Sequence, residues 1–320
     1  MLTLPVPGVA DLIRLRLEQK SARDNRRDPY HLALVIEGGG MRGVVAGGMV
    51  TAIQELGLTD CFDTIHGSSA GACAGAYLIT DQAKLGTSIF YEDINNSKVT
   101  NPRRLWRGAP IMDTGFITDN VMRTTKQLDV EKIIDSPNLL HIIATATDAQ
   151  ETHYCRYVTP DRFFAVLRGT ITMPIVGGKS VSVDGQELVD GGMVQQIPFR
   201  SAVERGATHV LILLTRRDHE FERKKSRLMA LLESLAMRFV YGPALAKLYA
   251  SRRDRINNDL KLIFENNIGK AAMEYVARPA TDSKVRRFSL ETDLLKKGAE
   301  EGYIAIRRYV DALTTTARVG

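Results

Sequence analysis

Residues 67–71 read Gly-Ser-Ser-Ala-Gly, and they stand between the strand-like segment 62–66 and a run of small residues at 72–78. A strand that passes through a very tight turn into a helix is the setting that exposes a serine nucleophile, and small flanking residues avoid a clash there. The pattern therefore indicates Ser69 as the nucleophile of a nucleophile elbow, flanked by Gly67 and Gly71. Because G-x-S-x-G recurs by chance in glycine-rich chains, the hypothesis also needs a base and an oxyanion hole.

A glycine-rich segment upstream is the candidate for the oxyanion hole. The apolar segment 32–36 predicts a buried strand, and it runs into a glycine cluster before a predicted helix that ends near residue 56. Successive glycines at a helix start expose backbone N–H groups that suit the negative oxygen of an acyl-transfer intermediate. The predicted oxyanion hole comprises Gly38, Gly39, Gly40, Met41, Arg42 and Gly43. Arg42 either holds the loop in shape or adds positive charge for an anionic substrate, and the sequence leaves both open.

The same glycines spell G-x-G-x-x-G, which is also a fingerprint of dinucleotide binding. That fingerprint needs an acidic residue at the end of the second strand to hold the ribose, whereas this strand ends in His66-Gly67-Ser68. The dinucleotide interpretation is therefore disfavoured. A loop that merely packs strand against helix is the other alternative.

Asp190 is the candidate base. It lies in the sequence Leu-Val-Asp-Gly-Gly at 188–192, and the following glycines leave its carboxylate approachable. A serine hydroxyl must lose its proton during attack, to a histidine or to a carboxylate. Asp184 is a weaker candidate, because Asp184-Gly185 between two strand-like segments is typical of a hairpin turn.

The three motifs together, with glycines at 38–43, the serine turn at 67–71 and Asp-Gly-Gly at 190–192, resemble the patatin-like phospholipases. The similarity extends over roughly residues 31–215. It implies an α/β protein with the three-layer α/β/α patatin-like fold, a mostly parallel central sheet and a helical C-terminal extension. It further implies a lipid acyl hydrolase that uses a Ser69-Asp190 dyad, an acyl-enzyme and the glycine-rich oxyanion hole, without metal or cofactor.

Two features of the sequence leave alternatives to this mechanism open. Many family members carry an asparagine six residues after the dyad aspartate, where this chain has Gln196, so the hydrogen bonding around Asp190 is in question. His219 follows Ser69 and Asp190 in the chain order of an ordinary α/β-hydrolase triad, although it lies in a charged run typical of a solvated surface. A lipid-binding or regulatory protein with this fold and little turnover is a further alternative.

The predicted organisation has three parts: an N-terminal basic amphipathic leader at 1–30, a catalytic core at 31–215 and a mainly helical C-terminal extension at 216–320 packed on the core. Strands are predicted in the core near 32–36, 62–66, 139–147, 153–158, 181–190 and 208–214, with intervening helices near 41–56, 70–80, 114–125 and 198–205. This alternation favours a mostly parallel sheet with helices on both faces. In the extension we expect a small strand near 284–290 and a final helix near 293–313.

The composition of the chain limits which compartment and which partners are expected for the protein. Three scattered cysteines, at 61, 73 and 155, indicate reduced thiols, and neither a signal peptide nor a membrane-spanning run is visible, so a cytoplasmic protein is expected. His31, His141 and His153 lack companions at metal-ligand spacing in the sequence, so no metal site is predicted. The net charge of +6 favours acidic surfaces, but no nucleic-acid module is found.

A basic amphipathic stretch in the extension bears on substrate delivery. Arg223, Lys224, Lys225 and Arg227 precede apolar residues at helical spacing between 228 and 239. The stretch is either an interfacial helix that binds an anionic membrane or an ordinary helix that packs its apolar face on the core or a second subunit. The expected partner in every case is a phospholipid or other acyl-ester substrate, and the oligomeric state is not predicted.

Overall fold

A mostly parallel sheet forms the centre of the molecule in a computed structural model of the chain. The structure describes residues 7–101, 103–104, 110–136, 139–224, 226–279 and 284–316. Its strands are β1 (Leu32–Ile36), β2 (Thr64–Ser68), β3 (Leu140–Ala146), β4 (Glu151–Tyr154), β5 (Val181–Val183), β6 (Gln186–Val189), β7 (His209–Arg217) and β8 (Ala272–Arg278). The described strands follow the order β5-β6-β3-β2-β1-β7-β8, with β4 also paired to β3.

The direction of the strands divides the sheet into two parts. Strands β3, β2, β1, β7 and β8 are parallel to one another, whereas β4 and β6 pair antiparallel with β3, and β5 pairs antiparallel with β6. The register places Ile36 beside Gly67 and Ser68 beside Ile143, so the carboxyl ends of β1, β2 and β3 meet at one edge. This is the edge at which open α/β sheets bind ligands.

Helices cover both faces of the sheet, as predicted. They are α1 (Val9–Glu18), α2 (Gly43–Glu55), α3 (Ala70–Ile79), α4 (Ala83–Glu92), α5 (Val130–Ile134), α6 (Pro160–Ile171), α7 (Phe199–Glu204), α8 (Arg227–Tyr241), α9 (Pro243–Phe264) and α10 (Thr292–Thr316), with a π-helix at Phe116–Thr125. Alternate residues of β1 face opposite layers: Leu32, Leu34 and Ile36 pack with α1, α2, α3 and α10, and Ala33 and Val35 pack with α7 and α9. The three-layer α/β/α architecture follows from this alternation.

The N-terminal segment is attached to the core through a buried arginine. The Arg16 guanidinium on α1 is buried, and it donates to Asp28 (Nη2 to Oδ1, 2.8 Å), to Asp63 (Nη1 to Oδ2, 2.7 Å) and to the Cys61 carbonyl (2.6 Å). A buried charge is tolerated when such partners satisfy it. The predicted leader at 1–30 is therefore, over its described residues, an integral part of the packed structure.

The C-terminal third completes the sheet as well as covering it. Strand β7 runs across the predicted boundary at residue 216, and β8 pairs parallel with β7. The strand expected near 284–290 is wrong, because the strand of this region lies at Ala272–Arg278 and residues 284–290 form a turn with irregular backbone on either side. The division of the chain into three parts stays a prediction.

Helix α10 packs against α2 through two glycines. A methyl group at Gly302 would lie 1.9 Å from the Val45 carbonyl oxygen, and one at Gly48 would lie 1.8 Å from the Ala299 carbonyl oxygen. Both distances are far below van der Waals contact with rigid backbone. The absence of a side chain at these positions therefore sets the distance between the two helices.

Gly302→Ala tests this close approach. In a helix without neighbours alanine would stabilise, but here the added methyl group must push α10 away from α2, so we expect the free energy of unfolding to fall by about 1–3 kcal/mol. Urea denaturation measures the change. Glu300→Ala, at an exposed position of the same helix, is the control and should change stability by less than about 0.5 kcal/mol. An unchanged or raised stability of Gly302→Ala would contradict the packing.

Candidate active site

Ser69 occupies a strained turn between β2 and α3. Its backbone has φ 54° and ψ −128°, a left-handed conformation that a non-glycine residue adopts at a cost of about 1–3 kcal/mol. A methyl group at Gly71 would lie 2.3 Å from the Ile36 carbonyl oxygen, so the turn needs glycine there. The sequence-predicted elbow is thus present as a strand, a sharp turn and a helix.

Asp190 meets Ser69 across the end of the sheet. The Ser69 hydroxyl Oγ donates to Asp190 Oδ2 at 2.7 Å, and the Gly192 amide donates to Asp190 Oδ1 at 2.7 Å. The backbone of Asp190 is fixed too, because its carbonyl accepts from Thr145 Oγ1 at 2.9 Å and its amide donates to the Thr172 carbonyl at 2.8 Å. The carboxylate is therefore held in one orientation toward the serine.

The environment of Asp190 makes it a stronger base than an exposed aspartate. Burial raises its pKa above the ordinary value, and this outweighs the lowering by the Ser69 hydrogen bond and by the charges of Arg252 and Arg287. A raised pKa increases the proton affinity of a carboxylate, which suits a group that must accept a proton from serine.

The glycine-rich loop at 38–43 has most of its amides already engaged. The Gly38 amide donates to the Gln196 carbonyl at 2.9 Å and the Met41 amide to the Arg287 carbonyl at 3.0 Å. The Arg42 and Gly43 amides donate within the loop, to the carbonyls of Gly39 and Gly40. Among the backbone hydrogen bonds of the described residues, none uses the amides of Gly39 and Gly40. Of the six residues of the predicted oxyanion hole, Gly39 and Gly40 are therefore the two whose amides have no such partner, and the oxyanion hole itself stays a prediction.

Gly40 explains why the loop needs glycine. Its φ is +58°, and a methyl group there would lie 2.8 Å from the Arg287 carbonyl oxygen. A side chain at this position would be strained and would also push away the segment whose carbonyl holds the Met41 amide.

Arg42 belongs to a buried network of ion pairs beneath the glycine-rich loop, and this network indicates its role. Arg42 Nη2 lies 3.1 Å from Glu37 Oε1, and its Nε donates to Thr215 Oγ1 at 2.9 Å. Glu37 also accepts from Arg216 Nη2 at 2.6 Å and from the Thr215 amide at 2.8 Å. Burial alone would raise the pKa of Glu37, but the charges of Arg216 and Arg42 lower it to about 2. Of the two roles left open for Arg42, the structure supports holding the loop.

Gln196 links this network to two further arginines. Its Nε2 donates to Glu37 Oε1 at 2.8 Å, and its Oε1 accepts from Arg287 Nη2 at 3.0 Å and from Arg252 Nη2. Its side chain therefore does not contact Asp190 directly, and the replacement of asparagine by glutamine leaves the Ser69–Asp190 contact in place. Sequence reasoning missed Arg252 and Arg287, which no motif marks.

An apolar cavity with an empty volume of about 750 Å³ has Ser69 and Asp190 in its wall. Its other lining is almost entirely hydrophobic and includes Met41, Val50, Tyr77, Phe90, Met112 and Ile117. The cavity is suited to a hydrocarbon chain.

The rival candidates lie elsewhere. The His219 side chain is 69% exposed, and its ring packs on Phe264 at a centroid distance of 4.7 Å. It does not line the apolar cavity at Ser69. Asp184 occupies the predicted hairpin turn, where Asp184 and Gly185 both have positive φ and the carboxylate binds Arg162 at 2.7 Å.

Three histidines that sequence spacing did not connect meet on adjacent strands. His66, His141 and His153, from β2, β3 and β4, have ring nitrogens within 4.8 Å of one another. His141 Nδ1 and His153 Nε2 share a hydrogen bond of 2.7 Å, shorter than the roughly 3.4 Å between two nitrogens on tetrahedral zinc. The rings of His66 and His141 pack against each other, with 4.2 Å between centroids and 30° between ring planes. Burial lowers the pKa of His66 well below its ordinary value and that of His153 to about 3. The three imidazoles thus pack together, and those of His66 and His153 are neutral at neutral pH.

Over the described part of the chain, no helix has both the length and the apolar character needed to cross a bilayer.

Comparison with known proteins gives one family and two relatives. The model of the patatin-like phospholipase family matches residues 34–203. The uncharacterized protein YjjU of Escherichia coli (strain K12) is 25% identical over 189 residues, which are 58% of this chain and 52% of YjjU. The chain thus spans about half the length of this curated relative. A crystal structure of VipD from Legionella pneumophila is similar with a TM-score of 0.42 and 14% identity, over 89% of this chain and 67% of that chain.

The family match covers more than half of the chain and includes the glycine-rich loop, Ser69 and Asp190. This protein therefore belongs to the patatin-like phospholipase family.

Proposed function

We propose that the protein is a serine hydrolase that cleaves carboxylic esters of lipids, as a phospholipase A-type enzyme or an esterase. The observation that carries this proposal is the 2.7 Å hydrogen bond from Ser69 Oγ to the buried Asp190 carboxylate. It lies in the wall of an apolar cavity of about 750 Å³. Family membership supports lipid acyl hydrolysis in general.

The proposed reaction has two stages that use the same groups. Ser69 Oγ attacks the ester carbonyl carbon while Asp190 takes the hydroxyl proton, and the Gly39 and Gly40 amides hold the negative oxygen. Collapse of this intermediate breaks the ester bond, and protonated Asp190 gives its proton to the leaving alcohol. Water then attacks the acyl-enzyme, Asp190 accepts a proton from it, and Ser69 is restored as the carboxylic acid leaves.

Ser69→Ala is the first test. Without the nucleophile we expect ester hydrolysis to fall by at least about 10⁴-fold, measured with a soluble short-chain p-nitrophenyl ester. Ser68→Ala is the matched control, because Ser68 is the buried neighbour whose Oγ has no hydrogen-bond partner among the described residues. It should retain activity within a few-fold.

The same pair of variants separates an enzyme from a lipid-binding protein with little turnover. A fluorophosphonate probe should label the wild type and Ser68→Ala but not Ser69→Ala, since only an activated hydroxyl reacts. Undiminished hydrolysis by Ser69→Ala, or no labelling of the wild type, would refute the proposal.

His219→Ala tests the rival triad. His219 is exposed, packs on Phe264 and does not line the apolar cavity at Ser69. Its replacement should therefore change kcat/KM by less than about threefold. A loss of several orders of magnitude, as expected for a triad histidine, would favour a Ser69-Asp190-His219 mechanism instead.

Helix α8 supports a proposal for how the enzyme reaches lipid. Of the alternatives left open for this helix, packing of the whole apolar face on the core is not observed. Apart from Met237 and Tyr241, its large apolar side chains are each more than half exposed, namely Leu228, Met229, Leu231, Leu232, Leu235, Phe239 and Val240. The basic residues Arg223, Lys224 and Arg238 are exposed beside them. We propose that this face binds an anionic membrane surface, which places the enzyme in the cytoplasm and peripherally on the bilayer.

Phe239→Gln combined with Leu228→Gln tests this surface. The two side chains are 91% and 66% exposed, so the fold should not depend on them. We expect at least a tenfold weaker association with phosphatidylglycerol vesicles, measured by flotation, because each buried apolar side chain contributes about 1.5–3 kcal/mol. Hydrolysis of a soluble ester should not change. Val158→Gln, at a 75% exposed apolar position elsewhere, is the matched control.

Two results would contradict membrane binding. One is equal association of the double variant and the wild type with the vesicles. The other is a wild type that sediments as a dimer without vesicles and becomes a monomer in the double variant, because a second copy of the chain would then cover the face.

A further inference from the structure

Thr170 lies on α6, and its hydroxyl connects two other elements of the molecule. Thr170 Oγ1 accepts a hydrogen bond from the Ser69 amide at 3.0 Å and donates one to the Ile143 carbonyl of β3 at 2.5 Å. The residue is completely buried. Because a hydroxyl has one proton, its donation to Ile143 leaves the lone pairs of the oxygen to accept from Ser69. The backbone of Ser69 is thus bound to β3 through a side chain of a third element.

This use of a helical threonine differs from that of other buried threonines in the structure. Thr51 on α2 and Thr87 on α4 each donate to the carbonyl four residues earlier in their own helix, both at 2.8 Å. That contact is the ordinary one for a threonine in a helix. Valine has almost the same shape and would need no hydrogen-bond partner in such a buried place. The hydroxyl at position 170 is therefore explained by its contact with Ser69 rather than by packing.

The hydroxyl of Thr170 lies at the end of the β2–β3 ladder. Ser68 is opposite Ile143 in that ladder, and one residue later the hydroxyl stands between the Ser69 amide and the Ile143 carbonyl. Without the hydroxyl, the buried amide would lose this acceptor, and it could bond the Ile143 carbonyl directly only if the turn moved toward β3. The position of the Ser69 backbone, which is already strained at φ 54°, therefore depends on Thr170.

The same end of α6 also binds the backbone of Asp190. The Thr172 carbonyl, two residues after Thr170, accepts the Asp190 amide at 2.8 Å. Thr172 is itself fixed, because its Oγ1 donates to the Arg168 carbonyl at 2.7 Å. One short segment thus holds the backbones of both residues whose side chains form the contact between Ser69 and Asp190.

We propose that Thr170 is a positioning residue of the active site. Its hydroxyl fixes the Ser69 amide and, together with the Thr172 carbonyl, sets the place of Ser69 Oγ relative to the Asp190 carboxylate. This inference rests on the proposed function and deepens it. Thr170 does not line the apolar cavity, so it acts through Ser69 and not on the substrate.

Thr170→Val tests this role, because it removes the hydroxyl and keeps the shape. We expect kcat for a soluble short-chain p-nitrophenyl ester to fall by about 10- to 100-fold, since small displacements of a reacting group cost this much. KM should change by less than about threefold. The rate of fluorophosphonate labelling of Ser69 should fall with kcat.

Two further variants at the same position separate the hydroxyl from the packing. Thr170→Ser keeps the acceptor and loses only a methyl group, so its kcat should stay within about threefold of the wild type. Thr170→Cys has a similar size but only a weak acceptor. Its kcat should fall by at least about tenfold, and it serves in place of Thr170→Val if the valine variant does not fold.

Thr51→Val is the matched control. It removes another buried hydroxyl that donates to a backbone carbonyl, and Thr51 does not line the apolar cavity. Its kcat should stay within about threefold of the wild type. Three outcomes would overturn the positioning role: an unchanged kcat in Thr170→Val, an equal loss in Thr51→Val, or a loss in Thr170→Ser as large as in Thr170→Val.

Hydrogen exchange separates this inference from the proposed function. Mass spectrometry of a peptide that contains Ser69 should show faster deuterium uptake in Thr170→Val than in the wild type or Thr51→Val, whether or not the protein hydrolyses esters. If the wild type shows no hydrolysis but uptake rises in Thr170→Val alone, the hydrolase proposal fails and the fixing of the Ser69 amide stands. If the wild type hydrolyses esters and neither kcat nor uptake changes in Thr170→Val, the positioning role fails alone.

Discussion

The carboxylate of Glu37 follows the end of β1, is fully buried, and receives hydrogen bonds from the adjacent glycine-rich loop and from two distant segments of the chain. Its partners are Arg42 of the glycine-rich loop, Gln196 after the Asp190 turn, and Thr215 and Arg216 of β7. A charge buried this deeply is tolerated because every oxygen has donors, and removing one partner would leave an uncompensated ion. The glycine-rich loop carries the proposed oxyanion donors. Its position is therefore set by the ion pair and hydrogen bonds of the buried Glu37 network rather than by its own glycines.

The sheet topology explains how groups 121 residues apart come within hydrogen-bond distance. Ser69 follows β2 directly, and β3 lies beside β2 with its carboxyl end at the same edge. Strand β6 runs antiparallel to β3, with Val189 opposite Thr145, so Asp190 leaves the sheet at this edge. A methyl group at Gly191 would lie only 2.0 Å from the Ile143 carbonyl oxygen, which shows how closely the aspartate turn approaches β3. The contact between Ser69 and Asp190 thus follows from strand order and register.

Those parts of the structure that depend on local sequence were predictable. The Gly-x-Ser-x-Gly turn, the Asp184-Gly185 hairpin and the strand β1 each have a signature within a few residues, and each is present. The selection of Gly39 and Gly40 among six loop residues was not predictable, because it depends on acceptors as distant as the Gln196 and Arg287 carbonyls. The histidine cluster escaped spacing rules for the same reason, since strand pairing brings it together.

The sequence indicated the C-terminal third only as an extension that covers the core. In the structure, both backbone and side-chain atoms of this third contact the candidate site. The Arg287 carbonyl accepts a hydrogen bond from the Met41 amide, so the backbone of Arg287 shapes the loop next to Ser69. Its side chain donates to Gln196 Oε1. The backbone contact and the side-chain contact use different atoms of Arg287. A substitution that changes the side chain can therefore alter the charge near Gln196 without removing the backbone hydrogen bond that supports the loop. Helix α9 repeats this pattern, since its inner residues Ile256 and Leu260 pack on the sheet and Arg252 on the same helix reaches the Gly192 carbonyl. Residues outside the matched family region, which ends at 203, therefore hold both the glycine-rich loop and the turn that follows Asp190, so the geometry around Ser69 depends on the C-terminal third as well as on the family motifs.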